Sequence, residues 1–167
     1  MKIVITGDTH IANENKELPV NLIDACKAAD LIVHTGDWNS MEVFSALSQF
    51  AEVKGVYGNI DSEEVMEQFP AQQLIEVNGF KIGVVHGHGE KKTTEKRAIE
   101  AFDGLEVDVI IFGHSHIPLI RYFKDTLLIN PGSPTFKRKL PHFSYGVLEI
   151  KENIRAEIVF FNDYSKM

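Results

Sequence analysis

Two histidines with metal-binding chemistry lie close together in the second half of the chain, His114 and His116. They follow the apolar run 109–112, which is typical of a buried strand, and Gly113 marks the expected end of that strand. Side chains two residues apart point the same way in an extended backbone. Because imidazole is the commonest metal-ligating side chain, the pair suggests that both rings face one metal-binding cavity at a sheet edge.

Four other apolar runs end in a similar way, in glycine-containing segments that carry metal-capable side chains. Ligands bind at the carboxyl ends of strands in open α/β sheets. The five ends supply carboxylate, amide and imidazole groups but no thiolate, which suits Mn²⁺, Fe, Zn²⁺, Co²⁺ or Ni²⁺ better than Ca²⁺ or an iron–sulfur cluster. Among these ions we expect Mn²⁺ first. The candidate residues are Asp8, His10, Asp37, Asn59, His86, His88, His114 and His116.

The candidate ligands are numerous enough for two divalent ions rather than one. Two-metal sites hold their ions about 3.5–4 Å apart and usually share a carboxylate. Asp37 is the natural bridge, because its loop lies between those of Asp8 and Asn59 in sequence. Two divalent ions carry more positive charge than Asp8, Asp37 and a bridging hydroxide remove, so an anionic substrate such as a phosphoester is expected. The hydroxide would be the nucleophile, and no serine or cysteine is required.

Each candidate also has a purely structural interpretation when it is considered alone. Asp8 and Asp37 could cap helices or stabilise turns, and Asn59 could be a turn residue. His34 lies inside a strand run, where a hydrogen-bonded core histidine is the simpler interpretation. Five strand ends that each carry a metal-capable residue are much harder to explain in this way, and we therefore favour a metal site.

The strands that must position these residues alternate with helices in the first third of the chain, which indicates right-handed crossovers and a largely parallel sheet. The later pattern is one of hairpins, and Asn78-Gly79 is a strong turn signal. We expect two sheets packed face to face with helices outside. The predicted helices are Leu18–Ala29, Glu42–Phe50 and Thr93–Phe102. The predicted strands are Lys2–Thr6, Asp30–His34, Glu52–Tyr57, Leu74–Val77, Phe80–Val85, Asp108–Phe112, Leu119–Phe123, Thr126–Ile129, Ser144–Ile150 and Ile154–Phe161.

Composition favours a globular protein with one domain, residues 1–167. Acidic residues outnumber basic ones by 24 to 17, and the net charge of −7 argues against long nucleic acid as a partner. A small phosphoester remains the expected substrate. A single cysteine, Cys26, cannot form an internal disulfide, so we expect it to be a small core residue. No signal peptide or bilayer-spanning run is evident, so we expect a cytoplasmic protein without a membrane partner, either a monomer or a homo-oligomer.

The five strand ends, in this order, resemble the signature blocks of the calcineurin-like metallophosphoesterases. The short chain and the loop Asn130-Pro131-Gly132-Ser133 are similar to the small prokaryotic phosphodiesterase branch of that family. The vacuolar sorting subunit of the retromer complex belongs to the same branch. The matching blocks are Asp8-Thr9-His10, Gly36-Asp37, Gly58-Asn59-Ile60-Asp61, His86-Gly87-His88 and Gly113-His114-Ser115-His116.

This resemblance implies an α/β fold, namely a four-layer α-β-β-α sandwich of two mixed sheets with helices outside. It also implies two metal ions whose ligand sets share Asp37. One set is Asp8, His10, Asp37 and His116, and the other is Asp37, Asn59, His86 and His114. The implied activity is that of a dinuclear-metal-dependent phosphoesterase, with a phosphodiesterase favoured. The alternatives are a phosphomonoesterase and a non-catalytic protein-binding scaffold, the role of the retromer relative, which has altered metal-site residues.

One position departs from the family pattern. Many members carry a histidine after the asparagine of the third block, where it helps to protonate the leaving oxygen, whereas this chain has Ile60. General acid catalysis is worth about 10²–10⁴-fold in rate, so we expect a preference for leaving groups that depart unaided, such as phenolates. His88 is a candidate for a substitute acid, a phosphate contact or a support behind the ligands. Asp61 is expected to cap a helix that starts near Ser62. Loops that could select the substrate contain Asn39, His88, Lys91 and the range Pro131–Arg138.

Overall fold

The computed structural model describes residues 1–11 and 17–162. The helices of these residues are α1 (Val20–Lys27), α2 (Met41–Leu47), α3 (Glu63–Gln68) and α4 (Thr94–Glu100). The strands are β1 (Lys2–Thr6), β2 (Leu31–His34), β3 (Glu52–Gly55), β4 (Gln72–Val77), β5 (Phe80–Val85), β6 (Val109–Phe112), β7 (Leu119–Phe123), β8 (Thr126–Asn130), β9 (Phe143–Ile150) and β10 (Ile154–Phe161).

The strands form two mixed sheets of five strands each. The first sheet has the order β10-β9-β1-β2-β3. Strands β1, β2 and β3 are parallel, and β9 is antiparallel to both of its neighbours, β1 and β10. The second has the order β4-β5-β6-β8-β7, with β5, β6 and β8 parallel and an antiparallel strand at each edge. Parallel strands need crossovers, and the helices supply several of them.

The two sheets pack against each other through one apolar face of each. Ile5 and Val33 from the first sheet belong to the same buried cluster as Ile82 and Ile111 from the second, and all four are fully buried. Burial of such a side chain stabilises the fold by about 1.5–3 kcal/mol. Because side chains alternate along a strand, the intervening residues lie on the outer faces.

Helices cover both outer faces. Val4 and Ile32 pack with Leu22 of α1 and with Trp38, and Cys26 lies in the same cluster as a fully buried core residue. On the other side, strands β6 and β8 pack against Ala98 of α4. The layers therefore run α-β-β-α, which confirms the predicted fold class. The part of the chain that the structure describes has no helix with the length and apolar character needed to cross a membrane.

Several predicted elements are too long: the helix predicted to end at Phe50 ends at Leu47, and the strand predicted to end at Tyr57 ends at Gly55. The helix predicted to start at Leu18 begins at Val20, because Pro19 occupies the N-cap position with ψ of 141° and disfavours helical geometry at the preceding residue. Ser40 caps α2 by accepting a hydrogen bond from the N–H of Glu42 at 3.1 Å. The predicted hairpin turn is confirmed, with positive φ at both Asn78 and Gly79.

Candidate metal centre

Two clusters of metal-capable atoms lie where the parallel strands of both sheets end. The three ligand atoms of each cluster lie within 4.8 Å of one another. The first cluster is Asp8, His10 and His116, and the second is Asp37, His86 and His114. The strand ends β1, β2, β5 and β6 therefore deliver their polar residues to one place, as the sequence predicted.

Asp37 lies between the two clusters and faces both. Its Oδ1 is 3.3 Å from Nε2 of His86, and its Oδ2 is 3.5 Å from Nε2 of His10. Asn59 joins the second cluster, because its Oδ1 is 3.2 Å from the same Nε2 of His86. One carboxylate thus presents a separate oxygen to each group of imidazoles, which is the arrangement that a shared ligand of two ions requires.

Hydrogen bonds behind the rings orient two of the imidazoles. Nδ1–H of His86 donates to the carbonyl of Thr35 at 2.7 Å, and Nδ1–H of His116 donates to the carbonyl of Phe136 at 2.6 Å. A carbonyl can only accept, so each Nδ1 carries the proton. Each Nε2 therefore faces the cluster as the nitrogen that can bind a cation, and this orientation is typical of metal-ligating histidines.

Asp8 is a buried carboxylate that needs a cation. It is fully buried, and within the described residues neither of its oxygens has a hydrogen-bond partner of normal geometry. Burial raises the pKa of Asp8 to about 7, although the positive charge of His86 and the nearby N–H of His114 act in the opposite direction. A buried charge without a partner is strongly unfavourable, so a divalent cation fits the donor set and the vacant lone pairs of this carboxylate.

The other charges in the site also favour cation binding. Burial tends to raise the pKa of Asp37, but its hydrogen bond with His86 and the charge of that residue outweigh burial and lower the pKa to about 2. Burial lowers the pKa of both His114 and His116 to about 4. At neutral pH the site therefore offers the ionised carboxylate of Asp37 and the neutral imidazoles of His114 and His116, the protonation states that bind metal. Burial opposes the charge of His86, but its hydrogen bond with Asp37 and the nearby carboxylates raise its pKa, so an arriving cation displaces a proton from this ring.

The backbone of the ligand loops is unusual. Asp8, His10, Asp37, His114 and His116 all have φ between 48° and 64°, the left-handed region that costs about 1–2 kcal/mol for a residue with a side chain. Such strain concentrates at functional sites. The expectation of an extended backbone at His114 and His116 is therefore wrong. The two rings belong to different clusters, which is the division that the family resemblance implied.

The ligand loops also pack closely against each other at Gly113. A Cβ atom added to Gly113 would lie 2.9 Å from Oδ2 of Asp8, so a larger residue would displace this carboxylate. Ser115, between the two histidines, accepts a hydrogen bond from Nδ2 of Asn130 at 3.1 Å. Its hydroxyl thus supports the loop through Asn130.

Comparison with known proteins agrees with this geometry. Residues 1–153 match the family model of the calcineurin-like phosphoesterase superfamily domain. The chain belongs to this superfamily. A protein of Methanothermobacter thermautotrophicus named "Probable metallophosphoesterase" is 38% identical over 164 residues, which cover 95% of this chain and 92% of that protein.

Two solved structures resemble this calcineurin-like phosphoesterase over nearly their whole length. A structure described as a novel archaeal phosphodiesterase has a TM-score of 0.69 and 25% identity, covering 95% of this chain and 100% of the other. A single mutant of Vps29 from Entamoeba histolytica has a TM-score of 0.75 and 25% identity, covering 97% and 100%. The predicted family and branch are therefore confirmed.

In this calcineurin-like phosphoesterase, Asp61 does not cap a helix, contrary to expectation. Ser62 is the N-cap residue of α3. The Asp61 carboxylate instead accepts three backbone hydrogen bonds, from Asp37 at 2.9 Å and from Asn39 and Gly58 at 2.7 Å. It therefore joins the loop that carries Asp37 to the loop that carries Asn59.

The two remaining histidines near the site have different surroundings. His88 is exposed at the rim, with its ring centroid 5.4 Å from that of His86 and 6.4 Å from that of His114. Burial and the charge of His86 lower its pKa. His34 is fully buried, accepts a hydrogen bond from the N–H of Gly36 at 3.2 Å and stacks on Trp38 at 3.6 Å, as expected of a core histidine.

Proposed function

We propose that this phosphoesterase hydrolyses phosphodiesters with two divalent ions. One ion would be held by Asp8, His10, Asp37 and His116, and the other by Asp37, Asn59, His86 and His114. The observation that carries this proposal is the position of Asp37, whose two oxygens lie 3.3 Å and 3.5 Å from imidazole nitrogens of two different clusters.

The residues of the chain have distinct roles in this reaction. When bound, the ions supply Lewis acidity toward the phosphoryl oxygens and lower the pKa of a coordinated water so that it can attack phosphorus. Asp8 and Asp37 compensate only part of the positive charge, which leaves the site attractive to an anionic phosphoester. Nδ2 of Asn59 is available to donate to a non-bridging oxygen, because its Oδ1 faces His86.

The leaving-group side of the site favours diesters with good leaving groups. Ile60 follows Asn59 and is 40% exposed, so an apolar side chain stands where many relatives carry a proton donor. Isoleucine cannot protonate a leaving oxygen, and a phosphomonoester with a poor leaving group depends most on that proton. We assign His88, which is exposed beside the second cluster, as a donor to a phosphoryl oxygen.

A second candidate function is a non-catalytic protein-binding scaffold. It is favoured by the fold that the chain shares with Vps29 and by the sequence resemblance to the retromer subunit. The intact donor set argues for the enzyme, because a scaffold does not require Asp8 to be buried without a hydrogen-bond partner. Because Asp8 is buried in this way, we expect the protein to bind metal whether it is an enzyme or a scaffold.

One experiment distinguishes these functions. Protein stripped of metal with chelator is assayed against aryl monoesters and aryl diesters while Mn²⁺, Zn²⁺, Fe²⁺, Co²⁺ and Ni²⁺ are added back one at a time. We expect Mn²⁺ to restore diester hydrolysis with the largest kcat/KM. A higher kcat/KM for monoesters would identify a monoesterase instead. Metal-replete protein that hydrolyses no substrate but captures a partner protein would support the scaffold.

A further inference from the structure

The segment 131–138 lies directly against the first metal cluster. Oγ of Ser133 donates to the carbonyl of Asp8 at 2.8 Å, and Oγ1 of Thr135 donates to the carbonyl of Thr9. The carbonyl of Phe136 accepts the Nδ1–H of His116 at 2.6 Å. These contacts fix the segment relative to the ligands, so the side chains that it presents outward have defined positions at the mouth of the site.

Phe136 is one of these outward side chains, and core packing does not account for it. Its ring centroid lies 5.3 Å from the ring of His10 and 5.5 Å from the ring of His116, yet the residue is 47% exposed. One part of the ring therefore supports two ligand imidazoles while the rest is open to solvent. An exposed aromatic surface beside a polar metal cluster is suited to contact an apolar part of a substrate.

Arg138 is the second outward side chain. Its Nη2 donates to the carbonyl of His114 at 3.4 Å, and its charge is close enough to lower the pKa of both Asp8 and His116. Within residues 1–11 and 17–162, no carboxylate lies at ion-pair distance from this exposed guanidinium. The guanidinium therefore keeps most of its donors available beside a site expected to bind phosphate.

Lys137, the residue before Arg138, also carries a positive charge, but its ammonium group contacts a different part of the molecule. Nζ of Lys137 donates to the carbonyl of Pro141 at 2.8 Å and lies over the ring of Phe143, 5.2 Å from its centroid. It is thus engaged by groups outside the metal clusters. Lys137 provides a matched control, since it has the same charge and is adjacent in sequence.

We propose that Phe136 and Arg138 form the substrate-recognition rim of this site and select phosphodiesters that carry a planar aromatic or heteroaromatic group. Phe136 would pack against that group on the non-leaving side, because it flanks the first cluster whereas Ile60 flanks the second. Arg138 would donate to a non-bridging phosphoryl oxygen. This inference rests on the proposed function, and it adds the chemical class of the substrate.

Two substrates with the same leaving group test the aromatic contact, namely p-nitrophenyl phenyl phosphate and p-nitrophenyl methyl phosphate. We expect wild type to have the larger kcat/KM for the phenyl compound. Phe136→Leu should lower the phenyl-to-methyl ratio about 3- to 10-fold, because an aromatic pair is lost while apolar volume is kept. Phe136→Tyr keeps the ring and should keep the ratio. A ratio that is the same in wild type and Phe136→Leu would overturn the assignment of Phe136.

The role of Arg138 predicts a different kinetic signature. Arg138→Gln should raise KM about 10-fold for both substrates while kcat changes less, since the lost hydrogen bond is made to the bound phosphoryl group. Lys137→Gln should leave KM within about twofold, because its ammonium group faces away. Equal KM values in Arg138→Gln and Lys137→Gln would show that Arg138 does not contact the substrate.

Binding without turnover separates failure of this inference from failure of the proposed function. Metal-loaded protein is titrated calorimetrically with phenylphosphonate and methylphosphonate, which cannot be hydrolysed as diesters. The rim predicts tighter binding of the phenyl compound in wild type, and a loss of that preference in Phe136→Leu. A wild-type protein that hydrolyses neither diester contradicts the proposed function alone. Equal affinity of wild type for the two phosphonates contradicts the proposal that Phe136 recognises an aromatic group.

Discussion

The carboxylate of Asp61 accepts a hydrogen bond from the backbone N–H of Asp37 at 2.9 Å. The same oxygen, Oδ2, accepts from Gly58 at 2.7 Å, while Oδ1 accepts from Asn39 at 2.7 Å. Asp61 is 7% exposed, so water offers little substitute for these bonds. Its position therefore couples the loop after β2 to the loop after β3, and with it the shared ligand to Asn59.

The first prediction concerns Asp61→Asn. An asparagine can still accept the two bonds made by Oδ2, but its amide group then faces the N–H of Asn39, and two donors cannot pair. We expect a loss of about 1–3 kcal/mol in the free energy of unfolding and a roughly 10- to 100-fold weaker metal affinity. Chemical denaturation and metal titration measure the two effects.

The control for this variant is Asp103→Asn, which removes the same charge from an exposed position. It should leave both stability and metal affinity unchanged within error. Metal affinity in Asp61→Asn equal to that of wild type would show that the three bonds support the fold without positioning the ligands.

The second prediction concerns Asp37→Asn. The side chain keeps its shape and can still accept from the N–H of Ile60, a bond of 3.2 Å, but it loses the charge shared by both clusters. Asparagine also tolerates the φ of 56° at this position. The ions contribute several kcal/mol to the transition state, so we expect kcat/KM for an aryl diester to fall by about 10²-fold or more.

Metal analysis of this variant should find fewer than two ions per chain, with a circular dichroism spectrum like that of wild type. Asp24→Asn serves as control because Asp24 pairs with Lys27 on the exposed surface and belongs to neither cluster. Rates for Asp37→Asn close to those of wild type would be incompatible with a shared carboxylate.

The architecture of the site could be predicted because its signals are local. Each signal spans only a few residues: the apolar runs, the glycines that end them and the Asn78-Gly79 turn. Together they indicated the strands whose ends carry Asp8, Asp37 and His86. Parallel pairing then brings those ends together. The structure shows this pairing in register between β1 and β2, with Thr6 opposite His34.

The features of the site that the sequence did not predict depend on contacts between distant segments. Alternation along a strand does not apply to His114 and His116, because the backbone is left-handed at both. Gly113, which precedes them, packs closely against Thr35 and Asp8 from distant segments. Two of the three partners of Asp61, the N–H groups of Asp37 and Asn39, lie in another loop, so the local environment of Asp61 suggested only a cap. The sequence indicated Phe136 only as part of the candidate loop 131–138, because its ring contacts His10 and His116, and His10 lies more than a hundred positions away.

The third prediction concerns Ile60→His, which places a proton donor at a 40% exposed position beside Asn59. Protonation of the leaving oxygen can contribute about 10²–10⁴-fold in rate, and it matters most for poor leaving groups. We expect the ratio of monoester to diester kcat/KM to rise at least tenfold. Ile60→Gln is the matched control, because glutamine is polar but cannot transfer a proton. An equal ratio in wild type and Ile60→His would refute the leaving-group argument.

The fourth prediction concerns Asp8→Asn in metal-free protein. Burial raises the pKa of Asp8 from 3.8 to about 7 in the folded chain, so its ionisation is less favourable there than in the unfolded chain. A raised carboxyl pKa costs stability as pH rises from about 4 through 7, and below pH 4 both states are protonated and the cost vanishes. Asparagine removes the charge and tolerates the φ of 50°.

We therefore expect Asp8→Asn to unfold at the same temperature as wild type near pH 4 and at a higher temperature above pH 7, in the presence of chelator. The avoided charge is worth on the order of 4 kcal/mol, and the buried amide offsets part of it, so a net gain of about 2 kcal/mol is expected. Neutral His114 and His116, whose pKa values are lowered to about 4, make both proteins less stable as pH falls below about 6.5, so the difference between the two proteins is the informative quantity.

Addition of Mn²⁺ should reverse the order, because only wild type keeps the carboxylate that the ion compensates, and a ligand stabilises the state that binds it. Thermal unfolding at pH 4, 6 and 8, with chelator or with Mn²⁺, measures every term of this prediction. A variant that is less stable than wild type in chelator at pH 8 would mean that the Asp8 carboxylate has a stabilising partner other than metal.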